Sequence, residues 1–298
     1  MVCIVGDGLY HAFQRFARRF HSVQRPERPA PCPTMSEGPA RRDFSLEELW
    51  NVTRETGDGS FFTNDSRDYE LRYSERHYRR LQEIFRLVAM ACPTQGDLLD
   101  IGTTQFTFLL KKLTPHRIFT IDYTSGFRQR CADHDIGFET HDITSPALPF
   151  GGQRFDVIVF TEVFEHLLAN PVRIFSKLKS MLTDGGSLVF GTPNLASLQK
   201  RILLLLNRPI LDWPTWEVGD EDIHGHGHNR IYVLRELTAF MERAGLLVTS
   251  SAYSLSMDFT EPEAGMALNA AKLLLLGPKL VVPSFRWGIH MVARNARH

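Results

Sequence analysis

Five short apolar runs recur at near-even spacing from Asp97 onward, and each is separated from the next by a stretch with helical character. They are "DLLDIG" (97–102), "RIFTIDY" (117–123), "GFETHDI" (137–143), "FDVIVFTE" (155–162) and "GSLVFGT" (186–192). Strands that alternate with helices build a parallel sheet covered on both faces, which is why such strands read as apolar runs rather than as alternating patterns. Two later runs, "GLLVTSSAYS" (245–254) and "WGIHMVARN" (287–295), are separated by a long excursion and suit a final antiparallel pair. The expected fold class is α/β: a seven-stranded, mostly parallel sheet with helices on both faces and a C-terminal antiparallel strand pair.

Upstream of the sheet, "SLEELWNVTRETG" reads as a short capped helix. "SERHYRRLQEIFRLVAMACP" reads as a longer one, with Tyr78, Leu81, Ile84, Phe85, Leu87 and Val88 on one stripe and Pro93 ending it. The start of the chain is different. It is rich in Arg and Pro, and Pro26, Pro29, Pro31 and Pro33 exclude a helix after Val23. Disorder is expected there; an organelle-targeting peptide has only composition behind it, and Met35 is an alternative start. The expected organisation is a disordered extension over 1–43, a helical cap over 44–96, and the sheet domain over 97–298 with lid insertions at 195–230 and 256–285.

In a chain of 298 residues, Lys+Arg and Asp+Glu both count 34, so no basic excess exists to hold a phosphate backbone and nucleic acid is not the expected partner. The four cysteines, Cys3, Cys32, Cys92 and Cys131, are scattered and form no C-x-x-C pair, which points to a reducing, cytoplasmic setting. The runs "ILLLL" (202–206) and "LLLLGPKLVV" (273–282) fall short of the roughly 20 apolar residues of a spanning helix. No transmembrane segment is expected, although the second run suits a peripheral lipid contact or a partner. Oligomeric state is left open.

Asp100, Asp122, Asp142 and Glu162 each fall at or just beyond the end of an expected strand, about one strand–helix unit of 20 residues apart. In an open α/β sheet, ligands sit outside the carboxyl ends of the strands, where these four side chains converge on one crevice. The acid ending the second strand, Asp122, is placed to accept hydrogen bonds from both hydroxyls of a ribose. A dinucleotide would need several glycines after the first strand to admit its pyrophosphate, but Gly102 stands alone before Thr103 and Thr104. A cationic ligand without phosphate gains from an acid-lined crevice that repels a pyrophosphate. Its amino-acid end needs only one tight turn, free backbone N–H groups and a nearby acid.

These residues resemble the class I S-adenosylmethionine-dependent methyltransferases. "LLDIG" is similar to their first strand and turn, "IDY" to the ribose-binding strand end, and "HDI" to the acid and apolar pair that holds the adenine. "FDVIVFTEVFEHLLANP" resembles their fourth strand and following helix, "LKSMLTDGGSLVFGTPN" the next helix, turn and strand, and "HNRIYVLRELTAFMERAGLLV" the helix before the sixth strand. The resemblance implies a Rossmann-like fold and S-adenosyl-L-methionine as cofactor. It places Asp100 and Gly102 near the methionine end, Asp122 with Tyr123 at the ribose, Asp142 and Ile143 at the adenine, and Glu162 or its neighbours beside the sulfonium. "GTTQFT" departs from the family's glycine-rich turn, and Thr103 and Thr104 are expected to supply replacement donors.

Methyl transfer to a hydroxyl requires alignment and removal of a proton. The candidate proton acceptors lie in "DEDIHGHGHNR" (220–230). His228 leads, because similar enzymes often carry a histidine just before that helix; His226 comes second, and His224 is a further neighbour. The glycines between these histidines argue against an enforced geometry, so no metal site is expected. Glu165 and His166 are read as capping or core residues with acceptor contact as the alternative. Trp213 and Trp216 are candidates for stacking on an acceptor ring. The expected activity is methylation of a small molecule or glycan, at oxygen; the competing reading is a catalytically silent binding or scaffold protein of the same fold.

Overall fold

A computed structural model describes residues 43–56, 67–92, 94–211, 227–256 and 266–296. The expected N-terminal extension, apart from Asp43, lies outside the described residues, as do Trp213, Trp216, His224 and His226. Helix α1 (Leu46–Glu55) opens on a capping box, in which Glu48 N donates to Ser45 Oγ (3.1 Å) and Ser45 N donates to Glu48 Oε2 (2.7 Å). Helix α2 (Arg67–Ala91) stops before Pro93 as anticipated. It begins seven residues earlier than its apolar stripe suggested, because no glycine or proline interrupts 67–73.

The strands are β1 (Asp97–Ile101), β2 (Arg117–Asp122), β3 (Gly137–Thr140), β4 (Phe155–Thr161), β5 (Leu182–Pro193), β6 (Leu247–Ser254) and β7 (Gly288–Arg294), in the order β3-β2-β1-β4-β5-β7-β6. Pairing is parallel from β3 through β5, and β7 runs antiparallel between β5 and β6. The final pair therefore forms as the sequence implied, with the last strand inserted inside the edge and the more exposed β6 outermost. Between strands run α3 (Gln105–Leu113), α4 (Arg128–Asp133), α5 (Pro171–Met181), α6 (Leu198–Leu205), α7 (Leu234–Arg243) and α8 (Met266–Val281). Among the described residues, no helix is long and apolar enough to cross a membrane.

Because successive strand side chains point to opposite faces, the apolar runs feed two cores. Ile158, Phe160 and Phe190 join Phe175 and Leu178 of α5 and Leu237 and Met241 of α7 on one face. On the other, Val157, Val159 and Val189 join Leu49, Ile84, Val88 and Leu109, from α1, α2 and α3. The strand order reverses at β1: the chain winds outward through β2 and β3, then returns to lay the parallel strand β4 on the other side of β1, and such a switch point opens a crevice at the strand ends. Phe164, 1% exposed, packs against Phe175 (5.0 Å between ring centres) and Phe190 (5.6 Å), which anchors a tight 3-10 turn, Phe164–His166, directly after β4. Truncating such a ring costs about 3–5 kcal/mol, so the neighbouring Glu165 and His166 stand on a rigid base.

Candidate active site

The turn after β1 closes on itself. Gly102 adopts φ +90°, a left-handed conformation natural only to glycine, and donates its N–H to Ile121 O (3.0 Å). A Cβ there would stand 3.0 Å from Val163 Cγ2. Gly102→Ala is expected to destabilise by about 1–2 kcal/mol through strain and crowding, read as a lower urea midpoint at unchanged m-value. Thr103 N donates to Asp122 Oδ2 (3.0 Å), and the Thr103 and Thr120 hydroxyls meet at 3.0 Å. Thr104 N donates to Thr107 Oγ1 (3.1 Å), while Thr104 Oγ1 accepts from Phe106 N (3.2 Å) as the cap of α3. The expectation of free donors in this turn is therefore corrected. The N–H groups of Gly102, Thr103 and Thr104 all have protein acceptors: the Ile121 carbonyl, the Asp122 carboxylate and the Thr107 hydroxyl.

The four carboxylates stand at the ends of β1 to β4, each with its own partner. Asp100 is 3% exposed beneath the turn and accepts a 2.7 Å hydrogen bond from Thr107 Oγ1. Burial pushes its carboxyl up to about 7, against the opposing effect of Thr107. The folded protein thus keeps a proton that the unfolded chain releases near pH 3.9. Its stabilising contribution is present below about pH 4 and is lost as pH rises toward 7, since the folded state binds more protons across that window. Asp100→Asn, which keeps the acceptor for Thr107, should flatten the fall in thermal midpoint between pH 4 and pH 7.

Asp122 is 8% exposed, and its two oxygens are gripped separately, Oδ2 by Thr103 N and Oδ1 by Thr124 N (both 3.0 Å). Tyr123 beside it is 73% exposed. Asp142 turns back on its own loop, accepting from the N–H and hydroxyl of Thr144 (both 2.8 Å). Its burial raises the carboxyl, but these hydrogen bonds outweigh that and hold it below the usual range. Ile143 is buried, and Lys177 of α5 pins this loop by donating to Ile143 O (3.2 Å) and Ser145 O (2.7 Å). Glu162, at φ +56°, pairs with Arg80 of α2 at 2.9 Å, and the side chains are only 19% and 8% exposed.

Sequence reasoning missed the contribution of α2. Arg80, His77 and Ser74 lie three residues apart and so share one side of the helix. Ser74 Oγ accepts from Gln105 Nε2 of α3 (3.3 Å), and Gln105 Oε1 is buried without a hydrogen bond. Burial, then the charges of Arg80 and Arg76, pushes His77 down to about 2, so it stays neutral. The available signal was the set of polar residues opposite the apolar stripe, which reads as solvent-facing without knowledge of what covers it.

Immediately after β4, Glu165 is fully buried, in keeping with its reading as a core residue. Oε2 accepts from Thr192 Oγ1 of the "GTPN" strand end (3.0 Å); Oε1 is buried without a hydrogen bond and lies 3.9 Å from His228 Nε2. Burial, then the nearby Glu162 carboxylate, pushes Glu165 well above the usual carboxylate range. Asn229 N (2.8 Å) and Arg230 N (3.1 Å) donate to Glu165 O, drawing the segment that carries His228 onto the turn. The His166 and His228 rings are 4.9 Å apart. A buried carboxyl backing an imidazole can fix the ring's orientation and tautomer.

Comparison with known proteins gives the family. Residues 73–251 match the family described as "Methyltransferase domain", a span of more than half the chain. The chain belongs to that family. It is an S-adenosylmethionine-dependent methyltransferase with a Rossmann-like sheet, which sets aside the silent scaffold of the sequence analysis. No curated protein matches it. Among solved structures, the methyltransferase in complex with the Trm112 activator from Haloferax volcanii is similar in fold, with TM-score 0.53, 13% identity, and coverage of 83% of this chain and 98% of that one. N-methyltransferase NodS from Bradyrhizobium japonicum WM9 with S-adenosyl-L-homocysteine aligns at TM-score 0.47 and 18% identity, over 84% and 99% of the two chains. At the sheet edge, Asp122 Oδ1 accepts from Thr124 N (3.0 Å) and Thr124 Oγ1 (3.4 Å), while Oδ2 accepts from Thr103 N alone and, as a carboxylate oxygen, keeps a further acceptor site of the kind a ribose hydroxyl needs.

Proposed function

We propose that this methyltransferase acts on an oxygen of a small-molecule or glycan acceptor, in the cytoplasm. The observation that carries the reading is the Glu165–His228 pair at the end of β4, with the buried oxygen of Glu165 3.9 Å from His228 Nε2. A hydroxyl must lose its proton to become a strong nucleophile, and an oriented imidazole near neutral pH suits that task. When bound, S-adenosylmethionine supplies the methyl group: the acceptor oxygen bonds to carbon, the carbon–sulfur bond breaks, and its electron pair stays on sulfur. The chain's part is alignment. Asp122 takes the ribose hydroxyls with Tyr123 alongside, Asp142 and Ile143 bound the adenine, and Gly102 and Thr103 line the methionine end above Asp100. Arg80, held by Glu162, stands in for the engaged turn amides as the cation for the amino-acid carboxylate. His228 meets the acceptor oxygen, with His226, outside the described residues, as the second histidine.

Matched hydroxyl and amine acceptors, incubated with the methyl donor and analysed by mass spectrometry, test the reading. Methyl ethers are expected, with His228→Ala lowering kcat by about 100-fold or more at unchanged S-adenosylhomocysteine affinity. Methylation confined to amines would overturn it. Leu280 and Val281, 57% and 80% exposed, support a peripheral lipid contact by the second apolar run, to be checked by co-sedimentation with vesicles.

A further inference from the structure

Glu165, His166 and His228 each offer one ligand atom, and these atoms all lie within 4.8 Å of one another. We propose that they form a binding site for one divalent first-row transition-metal ion, at the point where the acceptor oxygen enters. Two imidazoles with one carboxylate suit zinc, cobalt, iron or manganese better than magnesium or calcium, which favour all-oxygen shells. Metal–ligand distances of about 2.0–2.2 Å set ligand atoms about 3.3–3.6 Å apart around a tetrahedral ion, so Glu165 Oε1 and His228 Nε2, 3.9 Å apart, would draw in by a few tenths of an ångström on binding a shared ion.

Two independent features point to a ligand. Glu165 is fully buried and its Oε1, aimed at His228, has no hydrogen bond, a costly arrangement that a cation there would relieve. The surrounding contacts also orient the ligands as metal sites require. Thr192 holds the other oxygen of Glu165. His166 Nδ1 lies 3.1 Å from Gly227 O, a pure acceptor, so Nδ1 is the donor of that contact and Nε2 is the nitrogen that would ligate an ion. Asn229 Nδ2 donates to His166 O at 2.6 Å, tying the two histidine-bearing segments together. Among the described residues, the companions of His228 are Glu165 and His166 on the turn after β4, far from it in sequence.

Three protein ligands leave positions open on the ion, as in catalytic rather than structural sites. Resting on the oxygen-directed reading, the ion would take the acceptor hydroxyl, lower its pKa and release its proton to solvent. His228 then serves as a ligand that places the acceptor.

The test is titration of the chelator-treated full-length chain with Co²⁺, followed by visible absorption and calorimetry. One ion per chain is expected, with about 10-fold or greater weakening in Glu165→Gln and His228→Ala, and none in His134→Gln on the far side of the sheet. Circular dichroism confirms folding, and His166→Gln serves if either variant unfolds. No binding by the folded chain, or binding that survives these changes but disappears in a His224→Ala/His226→Ala variant, overturns the site. Ether formation that is indifferent to chelation sinks the ion and keeps the oxygen-directed reading. Ion binding without ether formation does the reverse.

Discussion

Asp122→Ala is expected to weaken S-adenosylhomocysteine binding by about 100-fold. The acid stands at the end of β2, 8% exposed, with one backbone N–H on each oxygen. The charge-assisted contact with the ribose contributes about 1.5–3 kcal/mol in all, so losing it accounts for about one to two decades. The rest comes from the turn, because Thr103 N and Thr124 N lose their acceptor and the cofactor loop is no longer latched to β2. Asp122→Asn should fall between, since its amide retains one acceptor oxygen in place of two. Calorimetric titration measures both; wild-type affinity in the alanine variant would show that the ribose is held elsewhere.

Arg80→Met is expected to destabilise the fold by about 3 kcal/mol. Its ion pair with Glu162 is short and nearly excluded from solvent, and removing one member leaves an uncompensated buried charge. Adding Glu162→Gln should recover most of that loss, because two neutral side chains of similar shape avoid the penalty. Cofactor affinity should not recover, as the guanidinium is still missing. Urea unfolding with parallel ligand titrations separates the two effects. A double variant as unstable as the single one would mean that Arg80 acts through packing rather than charge.

The sheet was legible because apolar runs of strand length, closed by acids and separated by helical stretches, allow few alternatives. All seven runs became strands, and the capping box at Ser45 and the stop before Pro93 followed local chemistry. Local pattern could not reveal what crosses the fold. Arg80 lies eighty-two residues before Glu162, and Thr192 twenty-seven after Glu165, so neither pairing has a periodic signature. Glu165 and His166 resembled ordinary residues of a helix start; only the return of the segment carrying His228 gives them a shared environment. The glycine-poor turn suggests free donors, whereas β2 accepts from Gly102 and Thr103 and Thr107 accepts from Thr104, a matter of three-dimensional closure that residue types alone leave open.

A crystal structure of the full chain with S-adenosylhomocysteine is the most direct test of a cofactor lying across the carboxyl ends of β1, β2 and β4. The ribose hydroxyls should rest on Asp122, the adenine beside Ile143, and the carboxylate toward Arg80, with the sulfur facing the turn that carries Glu165. A ligand bound away from these strand ends, or one that reaches the crevice without touching Asp122, would contradict it.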